Sequence, residues 1–83
     1  MDLREVIARG VQPAGTRVYV RETMTPIEVA AQLRVAWEGT AFAGAHQGLV
    51  TCPGDGGTHQ IIFRCRAFRQ GIQIDFRTPT TLG

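Results

Sequence analysis

Residues 48–77 read GLVTCPGDGGTHQIIFRCRAFRQGIQIDFR, a pattern that predicts three consecutive antiparallel strands. The run of proline and glycines at 53–57 is typical of a hairpin turn, and Gln70 with Gly71 indicates a second one. Between these turns, residues 58–68 alternate between apolar and polar side chains, as a strand with one buried face does. The end of the chain is therefore expected to form a β-meander.

The alternation assigns the side chains of this meander to two faces. One face is apolar and carries Phe63, Cys65, Ala67, Ile74 and Phe76. The other face carries arginines among mixed neighbours, namely Gln60, Ile62, Arg64, Arg66, Phe68, Gln73, Asp75 and Arg77. Because antiparallel sheets commonly bury one face and leave the other wet, we expect the apolar face to form the core.

A turn at 70–71 also predicts how the last two strands pair. The expected pairs are Ala67 with Ile74, Cys65 with Phe76, and Arg66 with Asp75 in a salt bridge. Arg64 would face Arg77, and a bound anion or an acidic surface would relieve the repulsion between them. A shift by one residue would lose the apolar matching and the charge pairing, which favours this register.

Two helices are predicted before the meander. Asp2 and Glu5 have the spacing of a capping box and Gly10 follows as a stop, so a short helix is expected at the start. Residues 25–28, Thr-Pro-Ile-Glu, supply an N-cap, a proline at the first helical position and an acid in the first turn. They predict a longer helix over 26–38.

The remaining segments complete an α+β prediction with the order α-β-α-β-β-β. Alternation at 16–22 indicates a strand whose edge in the sheet the sequence does not fix. Residues 40–46 are expected to be a loop anchored by Phe42, and residues 78–83 a loose C-terminal tail. Residues 1–83 would form a single domain, in which an antiparallel sheet of three or four strands packs against Val29, Leu33 and Trp37 of the longer helix.

The longer helix also has a second apolar seam. Ile27, Ala31 and Val35 are spaced four residues apart and therefore lie on one side of it. One interpretation is that the first helix and its loop cover this seam. The alternative is that the seam meets another chain, with a homodimer as one outcome.

Composition excludes several kinds of chemistry. The chain has 83 residues, its nine basic residues are all arginine, and it contains no lysine, serine or asparagine. A serine nucleophile, a lysine Schiff base and an asparagine-linked glycan are therefore ruled out. The net charge of +2 is too small to indicate nucleic acid by itself.

Targeting signals are not expected either. Asp2 lies where a signal peptide needs positive charge, and no apolar run is long enough to cross a bilayer. We expect a cytoplasmic protein without membrane contact or cofactor, in which Cys52 and Cys65 are free thiols.

Histidine and cysteine occur where a metal or a thiol site could form. The hairpin pairs Cys52 with His59 and His46 with Cys65, and the two pairs lie about 20 Å apart at ~3.3 Å per residue. One zinc ion cannot bind all four groups, so only half-sites completed by a second subunit stay open. Cys52, His59 and Asp55 could form a thiol enzyme's catalytic set, but a packed thiol beside an exposed imidazole is the favoured interpretation.

Function is predicted from the arginine face. The candidate partner-binding residues are Arg64, Arg66, Phe68, Arg77, Ile62, Gln73, Tyr19, Arg17 and Arg21. Arginine and aromatic side chains are enriched at protein interfaces, so the first hypothesis is a non-enzymatic protein-binding module, such as an accessory or inhibitory protein of a phage or mobile element. Nucleic-acid binding through Arg64, Arg66 and Arg77 is the alternative, a Cys52–His59 thiol enzyme the second alternative, and an ordinary solvated face the simplest interpretation.

Overall fold

The computed structural model describes residues 1–54 and 56–79. Its elements are α1 Leu3–Arg9, β1 Arg17–Val20, α2 Pro26–Ala36, β2 Thr40–Phe42, β3 Gln47–Gly54, β4 Gly57–Phe68 and β5 Gly71–Arg77. The five strands form one sheet in the order β1-β5-β4-β3-β2, and every neighbouring pair is antiparallel. The predicted α+β class is confirmed, with five strands in place of three or four. Most of the predicted tail lies outside the described residues.

Both helices begin at the predicted caps. The Asp2 carboxylate accepts a hydrogen bond from the Glu5 backbone N–H at 2.9 Å, and Gly10 ends α1 with a φ of 81°. The Thr25 hydroxyl accepts from the Glu28 backbone N–H at 3.2 Å and starts α2. α2 ends at Ala36, earlier than the predicted boundary.

β2 corrects the prediction of a loop over residues 40–46. Thr40 pairs with Val50 and Phe42 pairs with Gly48, so residues 40–42 of this segment form an edge strand of the sheet. Phe42 is 70% exposed and does not anchor a loop. Three residues are too few to show a strand period, and the free edge of β3 supplies the hydrogen bonds that order them.

β1 lies at the opposite edge of the sheet, beside β5. Arg17 pairs with Asp75 and Tyr19 pairs with Gln73, which decides the placement that the sequence left open. β5 is therefore flanked on both sides, by β1 and by β4.

The register between β4 and β5 differs from the prediction by two residues. Phe68 pairs with Gly71, so the loop residues are Arg69 and Gln70, and Arg69 has a φ of 54°. The observed pairs are Cys65 with Ile74, Ala67 with Ile72, Arg66 with Gln73, and Arg64 with Asp75. The predicted Arg66–Asp75 salt bridge and the predicted Arg64–Arg77 repulsion are wrong.

A shift by two residues keeps every side chain on its own face, so alternation alone could not detect it. The position of Gly71 depends on β1 instead. A Cβ atom at Gly71 would lie 2.5 Å from the carbonyl oxygen of Val20, so the close approach of β1 requires a glycine there.

The helices and the apolar side of the sheet enclose one core. Its members are Leu3, Val6, Val20, Val29, Ala30, Leu33, Trp37, Val50, Ile61, Phe63, Cys65, Ile72, Ile74 and Phe76. The Trp37 ring stands edge-on to Phe63 with 5.4 Å between centroids, and its indole N–H donates to the Ile7 carbonyl at 3.2 Å. Ala67 faces the same side but is exposed near the end of β4. The helices therefore cover one face of the sheet and leave the other open.

Candidate functional site

The open side of the sheet is strongly basic. All four arginines in the strands lie on it, and two more border it at the end of β1 and in the β4–β5 turn. These six of the nine arginines are Arg17, Arg21, Arg64, Arg66, Arg69 and Arg77. Among the residues that the structure describes, Asp75 is the only acidic one in a strand. We call this surface the basic face.

The predicted candidate residues are brought together on this face. Across the strands, Arg17, Asp75 and Arg64 form one row of paired positions. Tyr19, Gln73 and Arg66 form the next row. Since paired positions in a sheet share a face, β1 extends the patch predicted from the meander. Ile62 pairs with Arg77 and is half-buried at the margin.

Asp75 is a buried carboxylate at the centre of the basic face. Its Oδ1 lies 3.4 Å from Nε of Arg17 and its Oδ2 lies 4.0 Å from Nη2 of Arg77, while Nε2 of Gln73 donates to Oδ1 at 2.8 Å. The side chains of Arg17 and Arg77 remain 73% and 59% exposed. One acid thus lies within ion-pairing distance of two arginines that both remain open to solvent. Gln73, a predicted contact residue, is 4% exposed and therefore offers a partner little accessible surface.

An aromatic pair lies at the β4–β5 turn. The Tyr19 and Phe68 rings meet edge-on with centroids 5.0 Å apart. The guanidinium groups of Arg66 and Arg69 lie over the Phe68 ring, 5.7 Å and 5.5 Å from its centroid. Both arginines therefore lie within cation–π distance of the same ring.

The same end of the face contains a hollow of about 640 Å³, here named the hairpin pocket. It is lined by Tyr19, Arg21, Phe68, Arg69, Gln70 and Gly71. Arg69 was not among the predicted site residues. No alternation pattern reaches a turn residue, so its position follows only from the register and the backbone.

The second seam of α2 is largely uncovered. Val35 is 85% exposed and Ile27 is 47% exposed, whereas Ala31 is half-buried. The interpretation that the first helix and its loop cover this seam is therefore wrong. A hydrogen bond joins α1 to Trp37, at the end of α2, instead.

Each cysteine lies opposite the histidine that was predicted as its cross-strand neighbour. Cys52 faces His59, and the Cys65 backbone N–H donates to the His46 carbonyl at 2.8 Å. Cys52 is half-buried, and both thiols are free. Burial raises the pKa of the Cys65 thiol to about 12, which keeps it protonated and unreactive.

Within residues 1–54 and 56–79, no hydrogen bond joins the side chains of Cys52 and His59. The same part of the chain holds no group of three or more histidine, cysteine or acidic residues arranged for a metal ion. Asp55, the third member of the hypothetical thiol set, lies outside the described residues.

Comparison of the chain with protein-family models, with curated proteins and with solved structures finds no match. In the described part of the chain, neither helix is long and apolar enough to cross a membrane. The basic face is therefore interpreted from its own chemistry.

Proposed function

We propose that this protein is a non-enzymatic protein-binding module whose basic face engages an acidic surface of its partner. The observation that carries the proposal is the uneven charge of the sheet. Six arginines lie on or beside one open face, and Asp75, the only acid in the strands of the described part of the chain, is buried among them. An accessory or inhibitory role suits a domain of this size that acts by covering a partner's surface.

The arrangement of the arginines favours a partner-binding surface over an ordinary solvated face. Among the described residues, the ion pairs of this face involve Arg17 and Arg77 only, and both bind the same carboxylate. Arg64 and Arg66 are exposed on the central strand β4. Arginine forms two parallel hydrogen bonds with a carboxylate, which makes an ordered arginine array suited to an acidic protein partner.

Nucleic-acid binding is the second candidate, because the same arginines could neutralise phosphates. The contacts of Phe68 argue against base stacking on its ring. Stacking needs an open ring surface, whereas Arg66 and Arg69 already lie over Phe68 and Tyr19 meets it edge-on. We therefore favour a protein partner.

The proposal is tested by capture from an extract of the host on immobilised protein, with and without nuclease treatment. The decisive variant is R64E/R66E, which reverses two central arginines of the basic face. The matched control is R4E/R9E, which makes the same charge change on the exposed side of α1. We expect one protein to be captured by the wild type and by R4E/R9E, and to be lost from R64E/R66E.

Two results would contradict the proposal. If R64E/R66E captured the same protein, the basic face would not be the surface that binds it. Recovery of nucleic acid that nuclease treatment abolishes, with a steep decline as salt is raised, would support the second candidate instead.

A further inference from the structure

The hairpin pocket joins cationic and aromatic walls at one corner of the basic face. Arg21 and Arg69 supply the cations, and Tyr19 and Phe68 supply the rings. Its volume of about 640 Å³ falls within the range of about 300–1,000 Å³ that is common for ligand pockets. Within residues 1–54 and 56–79, no acidic residue lines it.

Part of the pocket lining is the backbone at Gly71. Gly71 lies in its floor opposite Phe68, and any side chain there would collide with the Val20 carbonyl. The pocket is thus tied to the close packing of β1 on β5, which also positions Arg21 beside it. The side chains of Tyr19, Arg21, Phe68, Arg69 and Gln70 form the rest of its lining.

Arg69 is the unusual residue of the pocket. Its φ of 54° is left-handed, a conformation that costs a residue with a side chain about 1–2 kcal/mol and costs glycine almost nothing. The hairpin therefore carries an arginine where its backbone favours glycine. Backbone strain of this kind is concentrated at functional sites, which indicates that the guanidinium has a use there.

Building on the proposed function, we propose that the hairpin pocket binds a glutamate or aspartate side chain from an acidic segment of the protein partner. The planar carboxylate matches the forked donors of Arg21 and Arg69. The hydrocarbon stem of the bound side chain lies against the exposed ring of Tyr19. This pocket would anchor the partner, and the remaining arginines would bind the acidic residues around the anchor.

The test separates binding from folding through Arg69→Gly. This variant removes the guanidinium and relieves the backbone strain, so thermal unfolding should show a stability equal to or above that of the wild type. The probe is a fluorescein-labelled peptide, Glu-Glu-Leu-Glu-Glu, and binding is followed by fluorescence anisotropy. Loss of one charged hydrogen-bonding group should weaken binding about tenfold.

Controls define what the pocket recognises. Arg4→Gln removes one positive charge from α1 and should leave peptide binding unchanged. A Gln-Gln-Leu-Gln-Gln peptide should bind at least about tenfold more weakly than the acidic peptide, since it lacks carboxylates. Arg69→Lys keeps the charge but not the forked donors, and should give an intermediate affinity.

The possible failures are distinct. If Arg69→Gly binds the acidic peptide as tightly as the wild type while R64E/R66E loses it, the pocket inference is overturned and the proposed function stands. Tighter binding of a phosphoserine peptide or of an oligothymidine strand would overturn the carboxylate assignment. If R64E/R66E also keeps both the peptide and the captured protein, the proposed function itself fails.

Discussion

β5 is buried on both of its faces, by different kinds of side chain. Toward the helices, Ile72, Ile74 and Phe76 lie in the hydrocarbon core. On the other side, Gln73 and Asp75 are 4% and 6% exposed beneath arginines. Apolar burial stabilises the fold in any arrangement that excludes water, whereas polar burial is tolerated only where each group meets a partner. The first face therefore drives folding, and the second fixes where the arginines lie.

The largest expected effect lies on the core face. Phe63→Ala removes a fully buried ring and should lower the free energy of unfolding by about 3–5 kcal/mol, because a cavity replaces the ring. An 83-residue domain has a total stability of roughly 4–12 kcal/mol. Chemical denaturation followed by circular dichroism measures the loss.

Phe68→Ala is the matched control on the basic face. Its ring is half-buried and contacts Tyr19, so the loss should be about 1 kcal/mol. Equal losses of unfolding free energy for the two phenylalanine variants would contradict the conclusion that the core face drives folding.

Two glycines of β3, Gly48 and Gly54, differ in how closely they are packed. A Cβ atom at Gly48 would collide with the Phe63 ring, so Gly48→Ala should cost about 1–3 kcal/mol. At Gly54 the nearest neighbour is the exposed His59 side chain, which can move away, so Gly54→Ala should change stability by less than about 0.5 kcal/mol. Comparable effects on the denaturation midpoint would argue against tight packing of β3 on Phe63.

On the basic face, Asp75→Asn should lower the free energy of unfolding. The substitution keeps the size of the side chain but removes the charge that Arg17 and Arg77 share, and it should cost about 1–2 kcal/mol. Added salt should narrow the difference from the wild type, since it screens the repulsion among the arginines.

Asp2→Asn is the control for that charge change, because asparagine also caps a helix. It should cost only a few tenths of a kcal/mol. If Asp75→Asn lowered stability by the same amount at all salt concentrations, the hydrogen bond from Gln73 would matter more than the charge of Asp75.

The smallest effect concerns Cys65. Its pKa, raised by burial from 9.0 to about 12, means that the folded state keeps a proton that the unfolded state releases. The stabilisation is complete below pH 9 and is lost as the pH rises through this window, so stability should fall with increasing pH there. Cys65→Ala should flatten this part of the pH profile.

Alkylation with iodoacetamide at about pH 8 checks the same difference between the two thiols. Cys52 should react in the folded protein, whereas Cys65 should react only after unfolding, because only Cys52 is partly exposed. Equal rates at the two sites would show that β4 opens readily.

Prediction succeeded where a local signal was sufficient. Helix caps are read from side chains a few residues apart, and both helix starts were confirmed at Asp2 and Thr25. The faces of β4 were also confirmed, with Phe63 fully buried and Arg64 exposed. A period of two is a property of one strand and needs no knowledge of its partners.

Prediction failed where the structure depends on the pairing of two segments that are distant in the sequence. The β4–β5 register was displaced by two residues because the faces are unchanged by such a shift. β2 was missed because its three residues are ordered by β3 and not by their own sequence. Arg69 was missed as a site residue for the same reason, since its place in the turn depends on the register.

The amino-acid order alone determined both helices, every strand except β2, the side of the sheet that each β4 and β5 side chain occupies, and the accumulation of arginines opposite the core. These properties follow from backbone geometry over a few residues. Only the packed chain decided that β1 lies beside β5, that Asp75 is buried between Arg17 and Arg77, and that a pocket forms next to Gly71. Each of these depends on contacts between distant segments, and their energies are set when the strands pair.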